Sequence, residues 1–155
     1  MRTNKITTGG IIAAIYIALT FVTSLFGFSS GPIQLRLSEA LCILPCFTTA
    51  SIPGLFVGCM LSNLLFGGGI FDVIVGGIAT LIGALGTFAL RRNRYIASLS
   101  PVIANALLLP FVFSIAYGFT QGYWYFFLTI FISELISAGI LGQILYSMLE
   151  KNNQF

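Results

Sequence analysis

LSEALCILPCFTTASIPGLFVGCMLSNLLF, residues 37–66, decides how this chain is built. The stretch is apolar, longer than one membrane-crossing helix, and interrupted by Pro45 and by Ser51-Ile52-Pro53-Gly54. Read as one broken helix it gives the chain five spans; read as two short helices around a turn at residues 51–54 it gives six. The basic residues choose between them, because Lys and Arg near span ends favour the cytoplasmic side. With six spans and an inside N-terminus, Arg2, Lys5, Arg91, Arg92, Arg94 and Lys151 share the inner side, and Arg36 lies outside. Five spans would set Arg91-Arg92-Asn93-Arg94 opposite Arg2 and Lys5. The expected architecture is an all-α membrane protein: a bundle of six transmembrane helices, N- and C-termini cytoplasmic, forming a single integral membrane domain over 1–155.

Outward from this stretch, the apolar runs predict helices over about 6–28, 37–50, 53–66, 71–90, 96–118 and 123–149. Ser29-Ser30-Gly31-Pro32 and Gly67-Gly68-Gly69 break the runs, and Pro110 is expected to kink the fifth helix. Hydrophobic residues make up 57% and charged residues 7% of the chain, with a mean hydropathy of +1.01. Soluble domains carry about 25% charged residues, so the solvent here is largely lipid. Six spans leave no room for a soluble catalytic domain, and no G-x-x-x-x-G-K-[ST] phosphate loop appears. No basic stripe points to nucleic acid. The first run reads as a helix that stays rather than a removed signal peptide. Cys42 and Cys46 share a helix face, but without any His the metal-ligand set is incomplete, so no metal and no cofactor are expected. No internal repeat is visible, and the chain is too short for an inverted-repeat transporter. Alternating access would therefore need a partner.

Ionisable groups inside a membrane are costly and mark function by default. Glu39, Asp72 and Glu134 qualify, and Glu134 falls eleven residues into the sixth helix, roughly 16 Å deep. No basic residue lies within a turn of Glu134, so it either takes a proton or meets a donor-rich partner. Asn63, Asn105, Gln34 and Gln121 accompany the acids. In the six-span arrangement these groups gather in the outer half of the bundle, as a pocket open to the outside would require. Simpler roles compete: Arg36 can pair with Glu39 at i,i+3, Asp72 can cap the fourth helix, and Asn63 and Asn105 can bond neighbouring helices. Phe127 and Phe131 fall on nearly the same face as Glu134, while Tyr123, Trp124 and Tyr125 also fit an interfacial belt. Gly10, Ala14 and Ala18 form a small-residue stripe on the first helix, and Gly76, Thr80, Gly83 and Thr87 line the fourth. Each stripe fits internal packing, and the first fits a docking face equally well.

The segments Ile33-Gln-Leu-Arg-Leu-Ser-Glu-Ala-Leu41, Ile52-Pro-Gly-Leu-Phe-Val-Gly-Cys59, Asn63-Leu-Leu, Pro101-Val-Ile-Ala-Asn-Ala106 and Ser133-Glu-Leu135 together resemble the QueT family. Members are substrate-binding (S) components of energy-coupling factor (ECF) transporters. The resemblance runs over nearly the whole chain, and Arg36-x-Ser38-Glu39-Ala40-Leu41 is its most specific piece. It implies a multi-pass protein of the bacterial plasma membrane, not an enzyme, that captures a queuosine precursor, 7-cyano- or 7-aminomethyl-7-deazaguanine, from outside. It further implies docking on an ECF module of two cytosolic ATPases and a membrane scaffold protein, through an Ala-x-x-x-Ala motif matched by Ala14 and Ala18. A guanine-like edge presents adjacent N–H donors that a carboxylate accepts in bidentate fashion. The expected ligand-binding residues are Glu134, Asn105, Glu39, Arg36, Asn63, Asp72, Phe131 and Gln121.

Other readings stay open. The ligand could be another vitamin or purine-like compound. Asp72 and Glu134 could serve a self-contained proton-coupled carrier. A lipid-processing enzyme fits poorly, because such sites need clustered His, Asp, Arg or Ser groups, often with metal, and here the acids are dispersed.

Overall fold

In the computed structural model, which describes residues 2–28, 33–66 and 69–152, every regular element is helical. The helices are α1 (Arg2–Leu25), α2 (Leu37–Cys46), α3 (Ser51–Leu65), α4 (Ile70–Ala89), α5 (Arg94–Ala116) and α6 (Tyr123–Asn152). Four of them, α1, α4, α5 and α6, are long and apolar enough to cross a bilayer. The chain is a multi-pass membrane protein. The breaks expected at Ser29-Ser30-Gly31-Pro32 and Gly67-Gly68 lie outside the described residues.

Residues 37–66 do form two helices, but the turn between them is not where Pro53 and Gly54 suggested. The chain turns over residues 47–50, and Ser51-Ile52-Pro53-Gly54 opens α3. Proline is tolerated there because the first N–H groups of a helix have no intrahelical acceptor to lose. α2 is wound as a 3₁₀ helix for all 10 of its residues. At about 2.0 Å per residue it reaches about 20 Å, farther than an α-helix of equal length. Such winding is uncommon beyond a single turn, and here it is covered: Ser38, Glu39, Leu41, Cys42, Ile43, Leu44 and Pro45 are buried. α2 packs against every other helix. Irregular backbone at membrane depth survives where protein, not lipid, surrounds it.

The long helices pack around α2 through small residues. A Cβ on Gly54 would stand 2.6 Å from the Gly9 carbonyl oxygen, so α1 and α3 touch backbone to backbone, with Ala13 against Gly58 one turn on. The neighbouring stripe, Gly10, Ala14 and Ala18, faces outward and is exposed. The α4 stripe of Gly76, Thr80, Gly83 and Thr87 is internal. Pro101 leaves the Ala97 carbonyl without its helical N–H donor, and the Thr87 hydroxyl lies 3.1 Å from that oxygen and 2.9 Å from the Gly83 carbonyl. Two residues after Pro110 a π-helical turn begins, Val112–Ala116. A second π segment, Leu135–Leu141, interrupts α6 directly after Glu134.

An added methyl in the α1–α3 seam and one on the bare face of α1 should act oppositely. Gly54→Ala is expected to destabilise the bundle by about 1–3 kcal/mol through overpacking. Gly10→Ala meets nothing within 4 Å and should leave thermal unfolding in detergent unchanged or slightly raised.

Candidate functional site

Polar side chains persist inside a membrane bundle when they meet partners there. Three helices bring such partners to Glu39 on α2, which is only 1% exposed. Its Oε1 accepts the Tyr16 hydroxyl of α1 at 2.5 Å. Its Oε2 accepts the Cys42 thiol at 3.1 Å and the Asn105 amide of α5 at 3.4 Å. Beside it lies Glu134 of α6, 4% exposed and also within hydrogen-bonding reach of Asn105. The Oε2 of Glu134 has no partner among the described residues. The two acids therefore differ: both oxygens of Glu39 have a partner, while Oε2 of Glu134 has none.

Arg36, in the segment leading into α2, acts electrostatically on both carboxylates. It donates to Gln34 Oε1 at 3.1 Å and makes no ion pair with Glu39. Among the described residues the ion pair is Arg94–Glu150, at 3.4 Å, at the opposite end of the bundle. The local Arg36–Glu39 pair allowed by their spacing does not form.

Arg36 also lines a cavity of about 250 Å³, just under the usual range of about 300–1,000 Å³ for small-molecule pockets. Thr20 and Ser24 of α1, Gln34, and Ser62, Asn63 and Phe66 of α3 form one side. Asp72 of α4, with Phe113, Tyr117 and Phe119 from α5 and the segment beyond it, forms the other. Asn63 donates to the Asp72 carbonyl at 3.1 Å, joining α3 to α4. Asp72 caps α4 by accepting the Gly69 N–H at 3.1 Å, and it also accepts the Tyr117 hydroxyl. That bond, ahead of burial, pushes the Tyr117 phenol above its ordinary range, so Tyr117 is the proton donor at neutral pH. The rings of Phe113, Tyr117 and Phe119 lie 6.1–6.3 Å apart, centroid to centroid.

Of the residues singled out from sequence, Gln34, Arg36, Asn63 and Asp72 line the cavity, and Glu39, Asn105 and Glu134 form the polar cluster next to Arg36. Phe131 stacks on Phe127 at 6.0 Å in an apolar group with Phe126 and Ile130 and does not line the cavity. Gln121 is exposed in the segment before α6 and also stands away from it. Tyr16, Phe113, Tyr117 and Phe119 belong to the site without having been singled out from sequence. Tyr16, Thr20 and Ser24 recur every fourth residue on α1, and Thr20 donates to Ser38 Oγ at 3.0 Å. That polar stripe within an apolar span was the available signal. The aromatic wall had none, since most aromatics in the chain lie elsewhere.

The family model for the QueT transporter matches residues 6–151. A curated relative, the "Queuosine precursor transporter QueT" of Lactococcus lactis subsp. cremoris (strain MG1363), is 43% identical over 81 residues. That match covers 52% of this chain and 47% of the relative, so the chain spans about half the length of the curated relative it matches. No solved structure matches.

Tyr16→Phe leaves a buried carboxylate oxygen without its donor and should cost about 1.5–3 kcal/mol of stability. Adding Glu39→Gln should recover part of that loss. Thermal unfolding of the single and double variants in detergent measures the coupling, and purely additive effects would argue against the bond.

Proposed function

This chain belongs to the QueT transporter family, and from that premise we propose that it is the substrate-capture component of an importer for a queuosine precursor. The ligand class is that named for the Lactococcus relative; the candidate molecules are 7-cyano- and 7-aminomethyl-7-deazaguanine. The observation that carries the ligand side of the proposal is the unpaired Oε2 of Glu134. A guanine-like edge offers adjacent N–H donors to such a carboxylate, and Asn105 beside it reads the ring carbonyl. The ligand enters the cavity of about 250 Å³, and the Arg36 guanidinium moves aside to open the way to Glu134. Glu39, held by Tyr16, Cys42 and Asn105, fixes the position of Asn105 rather than contacting the ligand.

The topology proposed is six spans with cytoplasmic termini, α2 and α3 crossing as a short pair in a single membrane domain. Lys5 lies near the α2–α3 turn, and Arg94 and Glu150 bring the ends of α5 and α6 together. With this basic end inside, the cavity opens outward. The exposed Gly10, Ala14 and Ala18 stripe supports docking of α1 on the scaffold protein of an ECF module, whose ATPases would drive release to the inside. The protein performs no chemistry on its cargo.

In a calorimetric titration with 7-aminomethyl- or 7-cyano-7-deazaguanine, Glu134→Gln should weaken binding about 30-fold, as expected for losing a charged hydrogen-bond acceptor. Affinity equal to wild type would remove Glu134 from the site. Ala14→Leu with Ala18→Leu should abolish co-purification with the ECF module while leaving ligand binding intact. Uptake into proteoliposomes containing this chain alone would instead make it a self-contained carrier.

A further inference from the structure

The wall of the cavity formed by α4 and α5 is closed by a small triangle of hydrogen bonds. Tyr117, the first residue past α5, donates its hydroxyl to Asp72 Oδ2. The Gly69 N–H points at both oxygens, 3.1 Å from Asp72 Oδ2 and 3.1 Å from Tyr117 Oη. The triangle fastens the connection between α5 and α6 to the start of α4 across the cavity rim. The backbone bonds of that connection are local, Tyr117 N–H to Val112 O and Phe119 N–H to Phe113 O. Gly118 and Gly122 bracket it with φ of +62° and +85°, and neither has an atom within 4 Å of where a Cβ would stand. Such positions suit glycine, and the segment between them is held to the bundle by the Phe119 ring, which packs on Phe113 and Phe126. Tyr117 is 44% exposed, so its hydroxyl can exchange Asp72 for water at modest net cost.

We propose that Tyr117 is the latch of this cavity: when its bond to Asp72 breaks, Tyr117 leaves the rim, residues 119–121 swing between Gly118 and Gly122, and the opening admits or releases the ligand. Phe119 moves with the segment and parts from Phe113 and Phe126, so the aromatic wall splits between Phe113 and Phe119. The ligand's identity rests on the transport reading above; the latch can be tested without a ligand.

Ser62 reports on the opening, because it lines the cavity, is 1% exposed, and donates only to the Cys59 carbonyl of its own helix. Ser62→Cys protein in nanodiscs is treated with a charged, membrane-impermeant methanethiosulfonate, and modification at position 62 is followed by mass spectrometry. Adding Tyr117→Phe should raise the rate about tenfold, the equivalent of about 1.4 kcal/mol. Asp72→Asn keeps an acceptor for the Gly69 N–H but loses the charge, and should raise it about threefold. Wild-type rates in both variants would overturn the latch. In parallel, 7-aminomethyl-7-deazaguanine should leave Tyr117→Phe about tenfold faster than wild type. If both variants are modified faster but no deazaguanine binds the wild type, the latch stands and the transport reading falls. If the ligand binds and neither variant changes either rate, the reading stands and the latch falls.

Discussion

A carboxylate at the centre of a lipid-embedded bundle has to receive its donors from protein, and Glu39 shows what that requirement does to a fold. Tyr16 comes from α1, Cys42 from α2 itself and Asn105 from α5. Each is placed by its own helix, so the acid ties three helices to one point. α2 can afford a long 3₁₀ winding because those helices, together with α3, α4 and α6, enclose it. Strip away the enclosure and both the winding and the charge would face hydrocarbon, where neither is stable.

The same constraint governs the backbone. Pro101 withholds an N–H in mid-helix, and Thr87 on the neighbouring helix approaches the carbonyl left behind. Gln143 of α6 donates to the Arg94 carbonyl at 2.8 Å, joining the start of α5 to α6 near the Arg94–Glu150 pair. The two ends of the bundle thus differ in kind. One is fastened by a charged pair and an amide; the other holds a cavity rimmed by Arg36, Asp72 and Tyr117.

Much of this could be read from the chain because lipid makes polar residues conspicuous. Glu39, Asp72, Asn105 and Glu134 stand out in apolar runs, and the long spans α1, α4, α5 and α6 follow from length and hydropathy alone. Helix faces were legible only up to rotation. Gly9 with Ala13, and Gly10 with Ala14, are adjacent stripes of equal quality, and Gly54 on another helix decides which one is internal. Phe127 and Phe131 do share a face, but that face meets α5 in an apolar group. Ring placement around a cavity depends on how three helices are turned at once, which periodicity along one helix cannot supply. The α2 winding was equally hidden, since Pro45 in a short apolar run fits a bent α-helix as well as a 3₁₀ helix.

The bare face of α1 has a steric consequence. Hydrocarbon tails are about as apolar as leucine, so helices in a bilayer are not driven together by exclusion from water and associate by close packing. Along Gly10, Ala14 and Ala18 no side chain extends beyond Cβ, and all three are exposed, so the backbone on this side of α1 is open to close approach. The opposite face, where Gly9 meets Gly54 and Tyr16 reaches Glu39, is already packed inside the bundle. One helix thereby carries a filled seam on one side and an unfilled one on the other.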